Sequence, residues 1–159
     1  SDEAAQWARL EELRTWENPG PGSFYDDLGN LAKETHVARE YTTLPMSGGF
    51  AWWEEGHTRA RLSWQVTSWP REGLKYEHLD PEASYVVRFS GFGDLKVTAD
   101  EQELTATRYG KENGDIKEYP MPRELTSDGT LLVMPSAERL PGVNWRQQPR
   151  LAEAWLIKQ

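Results

Sequence analysis

The stretch SYVVRFS at residues 84–90 decides the fold class of this chain. Its large residues Tyr85, Val87 and Phe89 stand at every second position, with serine, valine and arginine between them. This alternation is typical of a β-strand with one face against a core and the other toward water. The stretch RARLSWQVT at residues 59–67 repeats the pattern, with apolar residues at the even positions. Both stretches therefore predict strands.

Shorter segments with strand-like composition lie on both sides of these two stretches. They are residues 36–41, 50–54, 73–78, 94–98, 116–121, 130–134 and 151–157. Turn signals such as SGG at 47–49 and NGD at 113–115 separate them. Roughly nine short strands at intervals of about 8–12 residues are typical of an all-β sandwich or barrel. The lack of helical patterns between the strands argues against a parallel α/β sheet, so we expect an all-β sandwich.

Residues 2–16 follow a different pattern, that of an amphipathic helix. The apolar residues recur at three- and four-residue spacing: Ala4, Trp7, Ala8, Leu10, Leu13 and Trp16. Acidic residues at the start suit a helix N-terminus, and the run ENPGPG at 17–22 interrupts the helix with proline and glycine. We therefore divide the chain into a helical linker segment at 1–18 and a β-sandwich module at 19–159.

Length and charge exclude several classes of protein. A chain of 159 residues has room for one domain of ordinary size. Its formal net charge of -8 repels nucleic acid and anionic membrane surfaces, and no apolar stretch approaches the roughly 18 residues of a membrane span. With no cysteine, disulfides and thiolate metal sites are excluded. Because the chain begins at Ser1 without methionine, we expect a piece of a longer protein.

Three stretches resemble a known type of module. LKYEHLDPEASYVVRF at 74–89 resembles the central hairpin of galactose-binding-like jelly-roll domains. FYDDLGN at 24–30, and NWR at 144–146 followed by AEAWLI at 152–157, resemble the first and last strands of β-sandwich modules attached to bacterial polysaccharide-degrading enzymes. The resemblance implies a secreted, periplasmic or cell-surface carbohydrate-binding module, without catalytic activity, that accompanies a catalytic domain.

The sequence Asn144-Trp145-Arg146 is the strongest candidate for a sugar-binding site. An aromatic ring can stack on a sugar, an amide both donates and accepts hydrogen bonds, and a guanidinium can bind vicinal hydroxyls or a uronate. Trp69, next to a proline, and Trp53, in a Trp-Trp pair, are candidates for a further exposed ring. The alternative is that Trp145 and Arg146 form a purely structural lid over a sandwich edge.

The loop-like sequence DDLGN at 26–30 is a candidate calcium site, because hard cations prefer carboxylate and carbonyl oxygens. Asp26, Asp27 and Asn30 would supply the local oxygens. The resemblance implies a structural Ca²⁺ where the first and last strands meet, which makes Glu153 the distant ligand. The alternative is that Asp26 and Asp27 cap turns and pair with arginine or backbone groups.

No catalytic motif occurs in the sequence, so we expect a module that is not an enzyme. One enzyme alternative is a small jelly-roll polysaccharide lyase that uses His36, Tyr25 and Arg146. A second alternative to sugar binding is a structural spacer whose exposed rings pack on a catalytic domain. If the chain binds sugar, its acidic charge favours neutral glycans over uronate-rich or sulfated ones.

Overall fold

The computed structural model describes residues 2–28, 63–68, 73–144 and 147–159, with the side chains of Leu13, Trp64 and Ser68 excepted. One helix, α1, spans Asp2–Arg14 in these ranges. The strands are β1 (Phe24–Asp27), β2 (Trp64–Gln65), β3 (Leu74–Tyr76), β4 (Tyr85–Phe92), β5 (Lys96–Ala99), β6 (Gln102–Glu103), β7 (Arg108–Tyr109), β8 (Asp115–Pro120), β9 (Leu131–Ser136) and β10 (Arg150–Lys158).

These strands form two antiparallel sheets. The first sheet has the order β1-β10-β4-β8-β7, with β2 also paired to β10, and the second has the order β3-β9-β5-β6. Residues of both sheets share one core, to which β4 contributes Val87 and Phe89 and β9 contributes Leu131 and Val133. The prediction of an all-β sandwich with a short N-terminal helix is confirmed at this level.

The strand predictions hold where the chain is described, with differences at the edges. The segments predicted at 73–78, 84–90, 94–98, 116–121, 130–134 and 151–157 each overlap an observed strand. Of the stretch 59–67, Trp64 and Gln65 form β2 and the next residues turn into a 3-10 helix at Val66–Ser68. Residues 36–41 and 50–54 lie outside the described residues.

The predicted hairpin at 74–89 is wrong. β3 pairs with β9 in the second sheet, whereas β4 pairs with β8 and β10 in the first. The sequence HLDPEAS between them is therefore a crossover that carries the chain from one sheet to the other. Within it, the backbone N–H of Asp80 donates to the hydroxyl of Tyr85 over 2.9 Å, which fixes the start of β4 against the crossover.

The last strand, β10, contains an irregularity that sets which residues face the core. The antiparallel register with β4 shifts between Leu151 and Glu153. Such a β-bulge inserts one residue and exchanges the two faces of the strand beyond it. Leu151 packs in the shared core before the bulge, and Ala154 and Leu156 do so after it. Glu153 and Trp155 therefore lie on the outer face of the first sheet.

Trp155 is buried, but it does not belong to the core between the sheets. It packs with Trp16 and Ile116 in a separate cluster on the outer face of the first sheet, against which Tyr25 and Ile157 also pack. The helix ends at Arg14, and Trp16 lies beyond it. Trp16 thus covers the outer face of β10 and joins the N-terminal segment to the sheet.

The apolar residues of α1 whose side chains are described do not form a core face. Trp7 is 66% exposed and Leu10 is 56% exposed. Glu12 lies 3.5 Å from Arg108 of β7, an ion pair that links the helix to the sheet. In the described part of the chain, no helix has the length and hydropathy that a membrane span requires.

Candidate functional site

A groove lies where the turn between β4 and β5 meets the segment that leads from β9 to β10. We call it the end groove. Its volume is about 670 Å³, within the roughly 300–1,000 Å³ typical of ligand sites. Its described lining residues are Phe92, Gly93, Asp94, Leu95, Lys96, Ser136, Ala137, Glu138, Leu140, Gln147 and Pro149. The end groove therefore combines apolar residues, among them the aromatic Phe92, with polar and charged residues.

The first wall of the end groove depends on Gly93. Its φ is 85°, a value that glycine adopts without the steric cost of a side chain. A Cβ at this position would lie 3.1 Å from the Cα of Pro149, on the opposite wall. The backbone N–H of Gly93 donates to the carbonyl of Lys111 over 2.8 Å. The turn is thereby held close to β10 and to the loop between β7 and β8.

Asp94 of this turn is positioned by two residues of the first sheet's edge. The hydroxyl of Tyr109 donates to Oδ1 of Asp94 over 2.9 Å, and Nζ of Lys111 lies 3.5 Å from the same oxygen. The backbone N–H of Leu95 donates to the Tyr109 hydroxyl over 3.1 Å. Burial and the neighbouring Asp94 raise the pKa of Tyr109.

The second wall is fixed by the buried amide of Gln148. The backbone N–H of Leu140 donates to Oε1 of Gln148 over 2.7 Å, and Nε2 of Gln148 donates to the carbonyl of Leu140 over 2.9 Å. This paired interaction closes the loop that runs from 140 to 148. Next to it, the backbone N–H of Gln147 donates to the carbonyl of Asn144 over 3.1 Å.

One of the predicted sugar-binding residues is described, and it lies beside the end groove. Asn144 is exposed, and its backbone N–H donates to Oε1 of Gln147, a lining residue, over 3.3 Å. Trp145, Arg146, Trp69 and Trp53 lie outside the described residues. Their proposed role in binding stays a prediction. Sequence reasoning did not single out Asp94, Lys96 or Glu138, which come from turns and strand ends without a motif.

The predicted calcium ligands do not converge in the described part of the chain. Asp26 and Asp27 belong to strand β1 rather than to a loop, and they pair with Ala154 and Glu153 respectively. Successive residues of a strand point to opposite faces, so Asp27 and Glu153 share the outer face while Asp26 faces the core. Asp26 is hydrogen-bonded to Tyr76 there, and this neighbour adds to burial in raising the pKa of Tyr76.

No group of three or more metal-ligating side chains occurs among the residues that the structure describes, and Asn30 lies outside them. Calcium binding stays a prediction. The geometry places Asp26 on the wrong side of the sheet to share an ion with Glu153.

Glu153 is engaged by protein donors on both oxygens. Nε1 of Trp16 and the hydroxyl of Tyr25 donate to Oε2 over 2.8 and 2.6 Å, and the hydroxyl of Ser90 donates to Oε1 over 2.9 Å. These bonds connect the N-terminal segment, β1, β4 and β10. The signal in the sequence is the isolated acid within the apolar run AEAWLI, since a buried carboxylate requires such partners.

The same geometry bears on the lyase alternative. Tyr25, one of the two candidate bases, is already bonded to Glu153, and the other candidate, His36, lies outside the described residues together with Arg146. The lyase alternative is therefore untested.

Two buried polar side chains on β8 were also missed from the sequence. Lys117 is 2% exposed, and burial lowers its pKa to about 8. Its Nζ lies 4.7 Å from the ring centre of Tyr109 and donates to the carbonyl of Gly110. The hydroxyl of Tyr119 is buried and has no hydrogen-bond partner among the described residues. Burial raises the pKa of Tyr119.

Comparisons with known proteins give no assignment. No protein-family model matches the chain, and no curated protein matches it significantly.

Proposed function

We propose that this chain is a non-catalytic β-sandwich module that binds carbohydrate in the end groove. The observation that carries the proposal is the composition and place of the groove. It combines the ring of Phe92 with polar side chains, and one wall includes Gln147, two residues beyond Trp145. The predicted roles of Trp145 and Arg146, which lie outside the described residues, belong to the same proposal.

The lining matches the chemistry of a sugar. A sugar ring has an apolar C–H face and a rim of hydroxyl groups. Phe92, Leu140 and Pro149 offer apolar surface for the face, while Ser136 and Gln147 offer groups that both donate and accept hydrogen bonds. A shallow surface of this kind recovers little beyond the cost of ordering the ligand, so we expect weak binding for each site.

The proposal extends to the family that the sequence resembles. The two antiparallel sheets and the adjacency of β1 to β10 support the β-sandwich part of this proposal. The galactose-binding-like jelly-roll type and the attachment to a secreted, periplasmic or cell-surface bacterial enzyme rest on the sequence resemblance. A structural Ca²⁺ belongs to the same proposal, but Asp26 and Glu153 cannot share it because they lie on opposite faces of the first sheet. Titration with CaCl₂ after chelation tests it, and no heat together with no change in melting temperature would count against the ion.

Affinity electrophoresis through gels that contain neutral and acidic polysaccharides tests the sugar-binding proposal. We expect at least one glycan to retard the protein, and Trp145→Ala and Gln147→Ala to reduce the retardation. Leu132→Ala is the matched control, because Leu132 is exposed on the second sheet and does not line the end groove. No retardation by any polysaccharide would overturn the proposal.

A second candidate function is a structural spacer that packs against a catalytic domain. The exposed Trp7 and Leu10 of α1 favour it, because exposed apolar side chains on a helix surface are typical of protein–protein contacts. For a spacer, Trp7→Ala would weaken association with a separately expressed catalytic domain of the parent protein, measured by sedimentation. For a sugar-binding module, the same substitution would leave glycan retardation unchanged.

A further inference from the structure

The charges around the end groove limit the ligands that it can accept. Among its described lining residues, Asp94 and Glu138 are acidic and Lys96 is basic. Lys111, the other lysine close by, already lies 3.5 Å from Asp94. Among the described lining residues, the two carboxylates therefore outnumber the one cation, Lys96, that remains for a ligand.

We infer, on the basis of the carbohydrate-binding function proposed above, that the end groove selects uncharged, hydroxyl-rich sugars and that Asp94 is the residue that determines this selection. Asp94 would accept hydrogen bonds from sugar hydroxyls. The same carboxylate, together with Glu138, would repel the carboxylate or sulfate of an acidic glycan.

The position of Asp94 supports this role. Its side chain is 70% exposed, yet it is held by Tyr109 and Lys111, and both contacts within the described chain use Oδ1. The other oxygen, Oδ2, is left for a ligand. A carboxylate fixed in place before binding loses little conformational entropy on binding, and hydrogen bonds to a charged acceptor are stronger than those to a neutral one.

Repulsion of anionic sugars follows from the same charges. A uronate in the end groove would bring a third negative charge close to Asp94 and Glu138, in a chain whose net charge is already -8. The effect is strongest at low salt, because ions screen charges that are more than about 10 Å apart at roughly 0.1 M salt. Binding of a neutral sugar has no such dependence on salt.

The rival interpretation is that the contacts of Asp94 only connect the edge of the first sheet to the turn before β5. In that case Asp94→Asn would lower the melting temperature without a separate effect on the choice of ligand. Glu138 discriminates between the two interpretations, since it is exposed and forms no ion pair among the described residues. Its neutralisation tests repulsion without disturbing the contacts of Asp94.

Isothermal titration calorimetry provides the test. The ligands are neutral xylo-, manno-, cello- and galacto-oligosaccharides and an oligogalacturonate, each at about 20 mM and about 200 mM NaCl. We expect a neutral oligosaccharide to bind with nearly the same affinity at both salt concentrations. At the lower salt concentration, we expect the oligogalacturonate to bind about tenfold more weakly than the neutral oligosaccharide. Asp94→Asn should weaken neutral binding about tenfold. Glu138→Gln should strengthen oligogalacturonate binding at low salt, with an unchanged melting temperature.

Glu77→Gln is the matched control, because Glu77 is an exposed acid that does not line the end groove. Two results would overturn this inference and leave the proposed function standing. One is that the oligogalacturonate binds as tightly as a neutral oligosaccharide. The other is that Asp94→Asn and Glu77→Gln bind the neutral oligosaccharide with equal affinity. If none of the ligands, neutral or acidic, binds the unaltered protein, both proposals fail.

Discussion

Trp16 and Trp155 bind each other through an edge-to-face contact and a hydrogen bond. Their ring centroids are 5.1 Å apart at an interplanar angle of 85°, and Nε1 of Trp155 donates to the carbonyl of Trp16. Nε1 of Trp16 in turn donates to the carboxylate of Glu153, two residues before Trp155 in β10. This arrangement covers the outer face of the first sheet and attaches the N-terminal segment to it.

Trp16→Ala should therefore destabilise the protein by about 3–5 kcal/mol, the usual cost of removing a buried tryptophan. Trp7→Ala is the matched control, since Trp7 is 66% exposed and its removal should change the free energy of unfolding by about 0.5 kcal/mol or less. Urea denaturation followed by circular dichroism measures both. Equal stability of the two variants would contradict the role assigned to Trp16.

Glu153→Gln should also destabilise the fold. The amide places an N–H₂ group where one carboxylate oxygen now accepts from Trp16 and Tyr25 or from Ser90, and it replaces charge-assisted hydrogen bonds by weaker neutral ones. We expect a loss of about 2–4 kcal/mol by urea denaturation. Glu77→Gln, an exposed substitution, should be nearly neutral. A loss no greater than that of Glu77→Gln would show that the carboxylate charge is unimportant.

Lys117 should make stability rise with pH on the alkaline side of neutrality. Burial lowers the pKa of Lys117 from 10.5 to about 8 in the folded protein, so the protonated amine favours the unfolded state. This penalty is fully present below pH 8 and disappears as the pH rises toward 10.5, the unfolded value. It amounts to at most about 3 kcal/mol.

Lys117→Met removes the titrating group. The unfolding free energy of the variant minus that of the parent should therefore fall between pH 7 and about pH 9.5, because only the parent gains stability as the amine loses its proton. The measurement is urea denaturation across this range. Lys75→Met is the control for the substitution itself, because Lys75 is 58% exposed. A difference for Lys117→Met that changes with pH no more than the difference for Lys75→Met would refute the prediction.

The buried tyrosines Tyr119 and Tyr85 form a matched pair. The hydroxyl of Tyr119 has no partner among the described residues, whereas that of Tyr85 accepts a hydrogen bond from the backbone N–H of Asp80 over 2.9 Å. Tyr119→Phe should leave stability unchanged or raise it by about 1 kcal/mol, because it removes the cost of an unsatisfied buried group. Tyr85→Phe should lower it by about 1 kcal/mol or more. Thermal and urea denaturation of both variants check the sign of each effect.

The sequence by itself determined the class of the fold and most of its strands. Alternation of apolar and polar residues over 84–90 predicts a strand with two unlike faces, and β4 has Val87 and Phe89 in the core as that pattern requires. Turn signals located the strand boundaries because glycine and proline act on the local backbone. These features depend on neighbours in the chain, so a pattern of residues is enough to reveal them.

The tertiary structure decided which layer each face meets. A bulge at the start of β10 exchanges its faces, so Trp155 and Glu153 lie outside the shared core and are covered by Trp16. Alternation gives the relative faces of a strand but does not say what covers them. For the same reason the sequence could not show that Trp7 stays exposed.

The end groove likewise needed the tertiary structure. Asp94 and Glu138 are 44 positions apart in the sequence and line one groove only because the turn after β4 packs against the segment after β9. Sequence reasoning singled out Asn144 from its residue type and loop position, and only the tertiary structure places it beside this groove. Its remaining lining comes from distant turns and strand ends, whose proximity is fixed by the pairing of β5 with β9 and by the close approach of Gly93 to Pro149.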